Sequence, residues 1–375
     1  MSKLKLMTIL GTRPEIIRLS EVIKCADRYF DHVLVHTGQN YDYTLNQVFF
    51  ENLGLREPDH YLDSVGADLG ETMGNIISKS YGLLKEVKPD AVLILGDTNS
   101  ALSAISAKRL KIPIFHMEAG NRCWDWNVSE MINRKIVDHI SDINLPYTEH
   151  SRRYLLSEGI DGKTMFVTGS PMKEVLIKNR DKIEASRVLE ELSLKPGKYI
   201  LVSAHREENI DIEDNFFALM NSINHIAEKY DIPVIYSTHP RSRSFIEKRG
   251  FVFDKRVKSL KPFGYFDYNK LQENAFCVLS DSGTLSEESA MMDFPAVLIR
   301  TSTERPEVLD KGSVVIGGIK SDDVEQAVEL ATAMHEAHEP YVEAEDYADE
   351  NVSVKVIKII QSYTKIVNET VWLKH

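Results

Sequence analysis

Three carboxylates follow two neighbouring apolar runs of the chain, at positions suited to acid–base chemistry. Asp97 lies just past the run Ala91–Leu95, Glu118 lies at the end of residues 113–117, and Glu130 follows a little later. Apolar runs of this length, separated by a stretch of helical composition, predict buried parallel strands in a strand–helix–strand unit. Because the carboxyl ends of parallel strands carry the chemistry in such sheets, we expect the three side chains to meet at one edge and to transfer protons.

Asp97 also has a purely structural interpretation. Aspartate is a preferred N-cap residue, and a helix is predicted to begin near Thr98. For Asp97 alone the two interpretations are equally good. Glu118, at the equivalent place on the next strand, favours the active-site interpretation.

A second group of polar residues follows a predicted strand in the other half of the chain. The segment DSGTLSEES opens a helix, and the backbone N–H groups of Ser282 and Gly283 at its start form a site of the kind that binds phosphate. Glu288 lies one turn further along, within reach of groups beyond the phosphate such as ribose hydroxyls. The structural alternative is a capping box between Thr284 and Glu287, which would leave only Glu288 facing a ligand.

Basic residues at two further turns suit a negatively charged leaving group. His205 and Arg206 follow another predicted strand, in AHREEN. Histidine titrates near neutrality and arginine pairs well with phosphate, although a single histidine is more often structural. Arg13 and Arg18 strengthen the first strand–turn–helix, GTRPEIIR, as an anion cradle. That turn has neither the GK[ST] of a P-loop nor a GxGxxG dinucleotide fingerprint.

Size and composition exclude several classes of protein. The 375 residues suit two domains, and 43% hydrophobic and 27% charged residues are ordinary for a globular protein. The net charge of −12 argues against binding to nucleic acid or to an anionic membrane. The three cysteines lie far apart without metal-ligand spacing, and we recognise neither a signal peptide nor a run of the ~20 apolar residues that a membrane span needs. We therefore expect a cytoplasmic protein without membrane insertion.

The alternation of strands and helices occurs twice without sequence repetition. It predicts an α/β protein of two Rossmann-like, doubly wound domains that face each other across a cleft, with residues 1–170 in the first and residues 171–351 in the second. The hinge is expected near residues 169–171, and the acidic run over residues 336–350 is interpreted as a solvated connection. A helix within residues 352–375 either completes the first domain or remains with the second.

Several motifs together carry a resemblance to a known family. GTRPEIIR, HTGQN, GDTNS, HMEAGNR, SEMINR, AHREEN, THP, DSGTLSEE and TERPE resemble, in order and spacing, the non-hydrolysing UDP-N-acetylglucosamine 2-epimerases over nearly the whole chain. The longer segments HTGQNYDYTLNQ, HMEAGNRC, INRKIVDHISD and NLPYTEHSRRYLL are most similar to the capsular-polysaccharide members. Those members convert UDP-2-acetamido-2,6-dideoxy-L-talose to UDP-N-acetyl-L-fucosamine. The resemblance implies a glycosyltransferase-B-like fold, a UDP-sugar substrate bound largely by the second domain, a homodimer, and neither metal nor nicotinamide cofactor.

The resemblance also implies a mechanism and a set of residues. UDP is eliminated across C1–C2 to leave a 2-acetamidoglycal, which is protonated at C2 from the opposite face as UDP adds back. Because the C2 proton is weakly acidic, its removal must be coupled to departure of a well-stabilised UDP anion. By position, the acid–base carboxylates match Asp97, Glu118 and Glu130, and His205 joins this catalytic group by serving the departing diphosphate. The residues matched to substrate binding are Arg13, Arg18, Arg206, His239, Ser282, Gly283, Thr284, Glu288 and Arg305.

Four departures from the family pattern argue against an unaltered N-acetylglucosamine-type enzyme. Arg18 replaces a lysine, Met131 a second carboxylate, Glu207 an arginine, and Thr284 a glycine. Three alternatives remain open beside the L-fucosamine assignment. They are epimerisation of UDP-N-acetylglucosamine to UDP-N-acetylmannosamine, a retaining UDP-sugar-dependent glycosyltransferase that needs no C2 base, and a non-catalytic UDP-sugar sensor in which the carboxylates would be idle.

An effector site known from the N-acetylglucosamine-type members is expected to be lost. Their substrate-activation motif, QHRxM, corresponds here to residues 39–43, QNYDY. The carboxylate of Asp42 would repel an effector's diphosphate, and Ala67 stands where the family places a basic residue. We therefore predict that UDP-N-acetylglucosamine does not activate this protein.

Overall fold

The computed structural model describes residues 3–38, 47–124, 126, 128, 130–300, 303–339 and 343–374. Within them the chain forms two compact units, one of residues 1–178 and 346–375 and the other of residues 179–345. The predicted effector motif at residues 39–43 lies outside the described part. None of the helices in the described part combines the length and the apolar character that crossing a membrane requires.

Each unit contains one six-stranded parallel sheet. The first is built from β1 (Lys5–Leu10), β2 (Asp31–His36), β3 (His60–Tyr61), β4 (Ala91–Leu95), β5 (Ile114–Met117) and β6 (Ile143–Leu145), in the order β3-β2-β1-β4-β5-β6. The second is built from β7 (Ile200–Ser203), β8 (Val234–Ser237), β9 (Val257–Leu260), β10 (Cys277–Ser280), β11 (Ala296–Leu298) and β12 (Val315–Ile316), in the order β12-β11-β10-β7-β8-β9. Both orders are those of a doubly wound sheet, so the predicted class of two Rossmann-like domains is confirmed.

Helices connect the strands in both units. Those of the first unit are α1 (Arg13–Tyr29), α2 (Gln47–Leu53), α3 (Leu69–Val87), α4 (Ser103–Arg109), α5 (Glu130–Ile140), α6 (Glu149–Ser157), α7 (Met172–Lys178) and α17 (Val352–Thr370). Those of the second are α8 (Arg180–Glu184), α9 (Val188–Glu191), α10 (Glu207–Ile210), α11 (Glu213–Tyr230), α12 (Pro240–Arg249), α13 (Tyr265–Glu273), α14 (Thr284–Met292), α15 (Pro306–Asp310) and α16 (Ser321–Glu336). Short 3₁₀ turns occur at Asn99–Leu102, Gly162–Thr164 and Glu345–Tyr347.

The burial of the strands explains why they are readable in the sequence. All five residues of β4 are buried, as expected of a central parallel strand that is covered on both faces. The composition of residues 165–168 favours a further short strand, but Met165 forms only an isolated bridge with Asn144. A short apolar run becomes a strand only where a partner strand continues beside it.

The boundary between the units differs from the expected one. It falls after Lys178, because α7 remains packed in the first unit. The Glu174 carboxylate on α7 accepts hydrogen bonds from the backbone N of Ser353 at 2.8 Å and from its Oγ at 2.6 Å. These bonds tie α7 to α17, so the last helix belongs to the first unit and the expected hinge at residues 169–171 lies inside that unit.

The acidic run is not entirely a solvated connection. Asp346 Oδ2 accepts a hydrogen bond from the backbone N of Glu149 at 3.2 Å, and its carbonyl accepts one from Ser170 N at 2.9 Å. Tyr347 is fully buried. The interpretation is therefore wrong for the second half of this run, which packs onto the first unit.

Candidate active site

The first unit offers a crevice where its strand order reverses. β1 and β4 are neighbours, with Ile9 opposite Ile94, and the connections from them run to opposite sides of the sheet. In open parallel sheets, ligands bind beyond the carboxyl ends of two such strands. Arg13 begins α1 just after β1, and Asp97 follows β4. These two residues therefore stand at the place where a ligand site is expected.

Asp97 is held by the start of α5 and does not cap a helix. Its carboxylate forms an ion pair with the Nε of Arg134, and its carbonyl accepts a hydrogen bond from Asn133 Nδ2 at 2.9 Å. The N-cap of the following 3₁₀ turn is Thr98, with no side-chain capping bond. The capping interpretation of Asp97 is therefore wrong, and its carboxylate is fixed by a cation from another element.

Glu118 occupies a strained backbone position next to Asp97. Its φ of 62° lies in the left-handed region, which costs a non-glycine residue roughly 1–3 kcal/mol and tends to occur at functional sites. The carboxylate pairs with Arg18 Nη1 at 2.9 Å and accepts from Asn121 Nδ2 at 3.0 Å. A β-carbon built on Gly96 would lie 3.6 Å from Glu118 Oε2. The Glu118 carboxylate therefore lies beside the backbone that carries Asp97.

Glu130 is the first residue of α5 and is half-buried. Asn133 and Arg134, three and four residues later, are the two residues that contact Asp97. Residues at these spacings share one helix face, so Glu130 lies on the face that α5 turns toward Asp97. The structure thus places the Glu118 carboxylate beside the turn that carries Asp97, and it places Glu130 at the start of the helix that holds Asp97.

The two arginines predicted at the first turn are placed differently. Arg18 is 4% exposed, pairs with Glu118 and lies over the Tyr147 ring at 5.7 Å. Its position makes it a holder of the Glu118 carboxylate. Arg13 is half-buried with its guanidinium 5.7 Å from the Phe49 ring centroid.

Glu15 is a buried carboxyl at this crevice that sequence reasoning did not assign to the site. Its Oε2 accepts hydrogen bonds from Gly11 N at 3.1 Å and Thr12 Oγ1 at 2.8 Å, and its Oε1 lies 2.5 Å from Ser100 Oγ. Burial raises the pKa of Glu15 to about 7, although these hydrogen bonds oppose the rise. The residue joins the turns after β1 and β4, and the T-x-x-E spacing from Thr12 could have indicated it.

The second unit repeats this arrangement between β7 and β10, where Ser203 lies opposite Ser280. The fully buried Asp281, after β10, accepts hydrogen bonds from the backbone N atoms of His205 and Arg206, each at 2.9 Å, and from Asn209 Nδ2 at 3.1 Å. This carboxylate therefore fixes the turn after β7 against the turn after β10. It is the first residue of DSGTLSEES, but no role in the site was predicted for it.

Two imidazoles stand together at this edge. The ring centroids of His205 and His239 are 5.3 Å apart, and both side chains are half-buried. His205 Nδ1 lies 3.7 Å from Asp281 Oδ1. His239 caps α12, where its Nδ1 accepts a hydrogen bond from Arg241 N at 3.2 Å. His205 and His239, both predicted as site residues, thus lie together at the ends of neighbouring strands.

The start of α14 has the features of an anion site. Gly283 is the N-cap, and Ser282 Oγ and Thr284 Oγ1 are within 2.9 Å of each other. Arg206 Nη2 lies 3.9 Å from a β-carbon built on Gly283 and is held by Glu304 at 3.1 Å. A helix N-terminus and an adjacent guanidinium both attract phosphate.

The remaining predicted residues of this unit are more deeply placed. Arg305 is buried in an ion pair with Glu287 at 2.7 Å. The N-cap of α14 is Gly283 and not Thr284, so the alternative interpretation of a capping box is wrong, and Glu287 is structural through its buried pair with Arg305. Glu288 is 6% exposed and accepts a hydrogen bond from Gln272 Nε2 at 2.6 Å.

Two departures from the family pattern have visible partners. Glu207 pairs with Arg241 of α12 at 2.7 Å on the exposed surface. Met131 is buried with its Sδ 3.7 Å from Arg134 Nη1, so an apolar thioether replaces a carboxylate beside the arginine that holds Asp97.

Several known proteins are similar to this chain in sequence and in fold. A family model described as UDP-N-acetylglucosamine 2-epimerase matches residues 24–361. The structure of UDP-N-acetylglucosamine 2-epimerase from Rickettsia bellii has a TM-score of 0.91 and 46% identity, and the match covers 99% of this chain and 100% of that one. The Methanocaldococcus jannaschii UDP-GlcNAc 2-epimerase, in complex with UDP-GlcNAc and UDP, has a TM-score of 0.89 and 31% identity over 96% of this chain and 100% of its own.

A further relative is named for a different sugar. The UDP-2,3-diacetamido-2,3-dideoxy-D-glucuronate 2-epimerase of Pseudomonas aeruginosa is 32% identical, and the match covers 85% of this chain and 90% of that protein.

Proposed function

This chain belongs to the UDP-N-acetylglucosamine 2-epimerase family of isomerases, and we propose that it inverts C2 of a UDP-2-acetamido sugar by eliminating UDP and adding it back. The observation that carries the proposal is the pair of carboxylates Asp97 and Glu118 at the switch point of the first sheet, with Glu130 at the start of the helix that holds Asp97.

The reaction explains why more than one carboxylate is needed. A base removes the C2 proton, the C1–O bond breaks, and UDP leaves with the electron pair, which produces the 2-acetamidoglycal. To invert C2, a proton must then arrive from the opposite face while UDP adds back at C1. A single carboxylate would return the proton to the face from which it came. Asp97, Glu118 and Glu130 supply enough groups for both faces.

The second unit is assigned to the UDP end of the substrate. The start of α14, with Ser282, Gly283 and Arg206, is suited to the diphosphate. His205 and His239 can donate hydrogen bonds to the oxygen that accumulates charge as UDP departs. We assign Glu288 to a hydrogen bond with a ribose hydroxyl. The assignments of Thr284, Arg305, Arg13 and Arg18 to substrate binding remain predictions, as does the homodimer.

For the sugar, we propose UDP-2-acetamido-2,6-dideoxy-L-talose, which would yield UDP-N-acetyl-L-fucosamine in capsular polysaccharide synthesis. The longer matching segments and the departures at Met131 and Glu207 support it. The alternative is UDP-N-acetylglucosamine, which the name of the Rickettsia bellii relative favours. Relatives named for two different sugars are 31% and 32% identical to this chain, so this degree of identity leaves the sugar to be tested.

The test is to incubate the protein with each UDP-sugar in D₂O and to follow the C2 position by NMR. We expect the L-talo substrate to give a C2-deuterated L-fuco product and UDP-N-acetylglucosamine to give none. Labelled UDP-N-acetylmannosamine with no reaction of the L-talo sugar would establish the alternative. Transfer of the sugar to an added acceptor, with hydrogen retained at C2, would replace the epimerase with a glycosyltransferase.

UDP binding tests the assignment of the second unit. His205→Ala and Ser282→Ala should each weaken UDP affinity about tenfold or more, because a hydrogen bond to a charged group contributes roughly 1.5–3 kcal/mol. Isothermal titration calorimetry with UDP alone measures this. Ser289→Ala is the matched control, since Ser289 lies on α14 and donates only within the helix, to Ser286 O. Unchanged affinity in both site variants would place the nucleotide elsewhere.

A further inference from the structure

A buried ion pair between His116 and Asp138 lies next to the turn that carries Asp97. His116, on β5, is 1% exposed, with its Nδ1 3.0 Å from Asp138 Oδ1 and its Nε2 2.8 Å from the carbonyl oxygen of Gly96. Gly96 directly precedes Asp97 in the chain. His116 is therefore hydrogen-bonded to the backbone of the turn that carries Asp97.

Asp138 is connected to the segments that carry the other two carboxylates. Its two oxygens each accept a hydrogen bond from Gly120 N at 3.2 Å, two residues after Glu118. Asp138 itself belongs to α5, the helix that begins with Glu130. Through one imidazole and one carboxylate, the elements that carry Asp97, Glu118 and Glu130 are thus joined.

The pKa shifts of His116 and Asp138 favour the charged form of both side chains. Burial alone would lower the pKa of His116, but the contacts with Asp138 and the Gly96 carbonyl outweigh it and raise that pKa. Burial alone would raise the pKa of Asp138, but His116 and Arg122 outweigh it and lower that pKa. An imidazolium has an N–H on both nitrogens, so it can donate to Gly96 and to Asp138 at once.

Stability by itself does not account for these buried charges. Arg122 Nη1 adds a contact to Asp138 at 2.8 Å, and its Nε and Nη2 donate to Glu158 at 2.9 and 2.7 Å. Buried ion pairs of this kind are often no more stabilising than well-packed apolar residues of the same volume. Their hydrogen bonds to the backbone at Gly96, next to Asp97, and at Gly120, near Glu118, supply a reason for them.

We propose that His116 and Asp138 are positioning residues that hold Asp97, Glu118 and Glu130 in a single reactive arrangement. The inference rests on the proposed epimerase function, in which proton removal and return must occur on opposite faces of C2.

Two substitutions of His116 separate its two contacts. His116→Gln places an amide N–H near the position of Nε2, so it can still donate to Gly96 O, but it has no charge for Asp138. His116→Asn places its amide near the position of Nδ1 and does not reach Gly96. Misplacement of reacting groups by about 1 Å lowers turnover up to ~100-fold, so we expect His116→Asn to lower kcat at least ~10-fold and His116→Gln to restore part of the loss.

The readout is the rate of C2 exchange in D₂O, with the UDP-sugar that the wild type labels. KM and calorimetric UDP affinity should stay within about twofold, because the diphosphate is assigned to the second unit. Asp138→Asn should resemble His116→Asn, and it decides the question if one His116 variant fails to fold. The matched control is Asp142→Asn. Asp142 is also buried, pairs with Lys108 at 2.7 Å and accepts from Ile114 N at 2.9 Å, at the opposite end of β5.

We expect the control to alter melting temperature without altering kcat. Normal kcat in the folded His116 and Asp138 variants, or a loss of kcat equal to that of Asp142→Asn at equal melting temperature, would overturn the positioning role. Failure of the proposed function would appear differently, as wild-type protein that labels C2 of neither UDP-sugar.

Discussion

Asp97→Asn, Glu118→Gln and Glu130→Gln should each lower turnover at least ~100-fold, the usual scale for loss of a general acid or base. Each substitution keeps the shape of the side chain and removes its ability to take up or release a proton. The rates to measure are those of product formation and of C2 exchange in D₂O. UDP affinity should change little, because these residues are assigned to the sugar and not to the diphosphate.

The control for this series is Asp90→Asn. Asp90 lies at the opposite end of β4 from Asp97 and accepts a hydrogen bond from Lys5 N at 2.8 Å. Its replacement should leave turnover unchanged. Because Glu118→Gln leaves Arg18 without its charged partner, rates should be compared at temperatures where both proteins are folded. Near-normal turnover in all three carboxylate variants would refute their role.

Glu15 should make stability depend on pH. In the folded protein its pKa is raised by burial to about 7, against 4.5 when exposed. Between these values the folded state keeps a proton that the unfolded state releases, so stability falls as pH rises through this window. The contribution is present in full below pH 4.5, and on the order of 3 kcal/mol is lost once the pH passes 7.

Glu15→Gln isolates this contribution, because glutamine cannot titrate and all other groups are shared. The variant should gain stability relative to the wild type between pH 4.5 and 7, and the difference should be constant outside that range. Thermal and denaturant unfolding at several pH values measure it, with the transition of the first unit followed by hydrogen exchange. Parallel stability curves for the two proteins would mean that folding does not raise the pKa of Glu15.

The main elements were predictable because their signals are local. The apolar run Ala91–Leu95 is a strand with the predicted bounds. The two-residue edge strands β3 and β12 carry no comparable run and were not predicted. Strand ends in turn indicate which polar residues reach the active edge of a parallel sheet, which is why Asp97 and Glu118 could be found.

The partners of the site residues could not be predicted in the same way. Arg134 lies 37 positions from Asp97 in sequence, and Ser100 lies 85 from Glu15. Whether Asp97 caps its own helix or pairs with a distant arginine depends on how α5 packs, and no local pattern encodes that packing. For the same reason Glu287 fitted a capping box equally well, although its carboxylate pairs with Arg305.

The return of α17 to the first unit has a consequence for synthesis on the ribosome. The bonds between Glu174 and Ser353 join two segments of one unit that are separated by all of residues 179–345. The second unit can therefore acquire its complete core while the first still lacks a helix. Until residues 352–370 emerge, the face of α7 that carries Glu174 has no partner from that helix. The nascent chain thus passes through a stage in which the second unit is complete and the first unit still lacks α17.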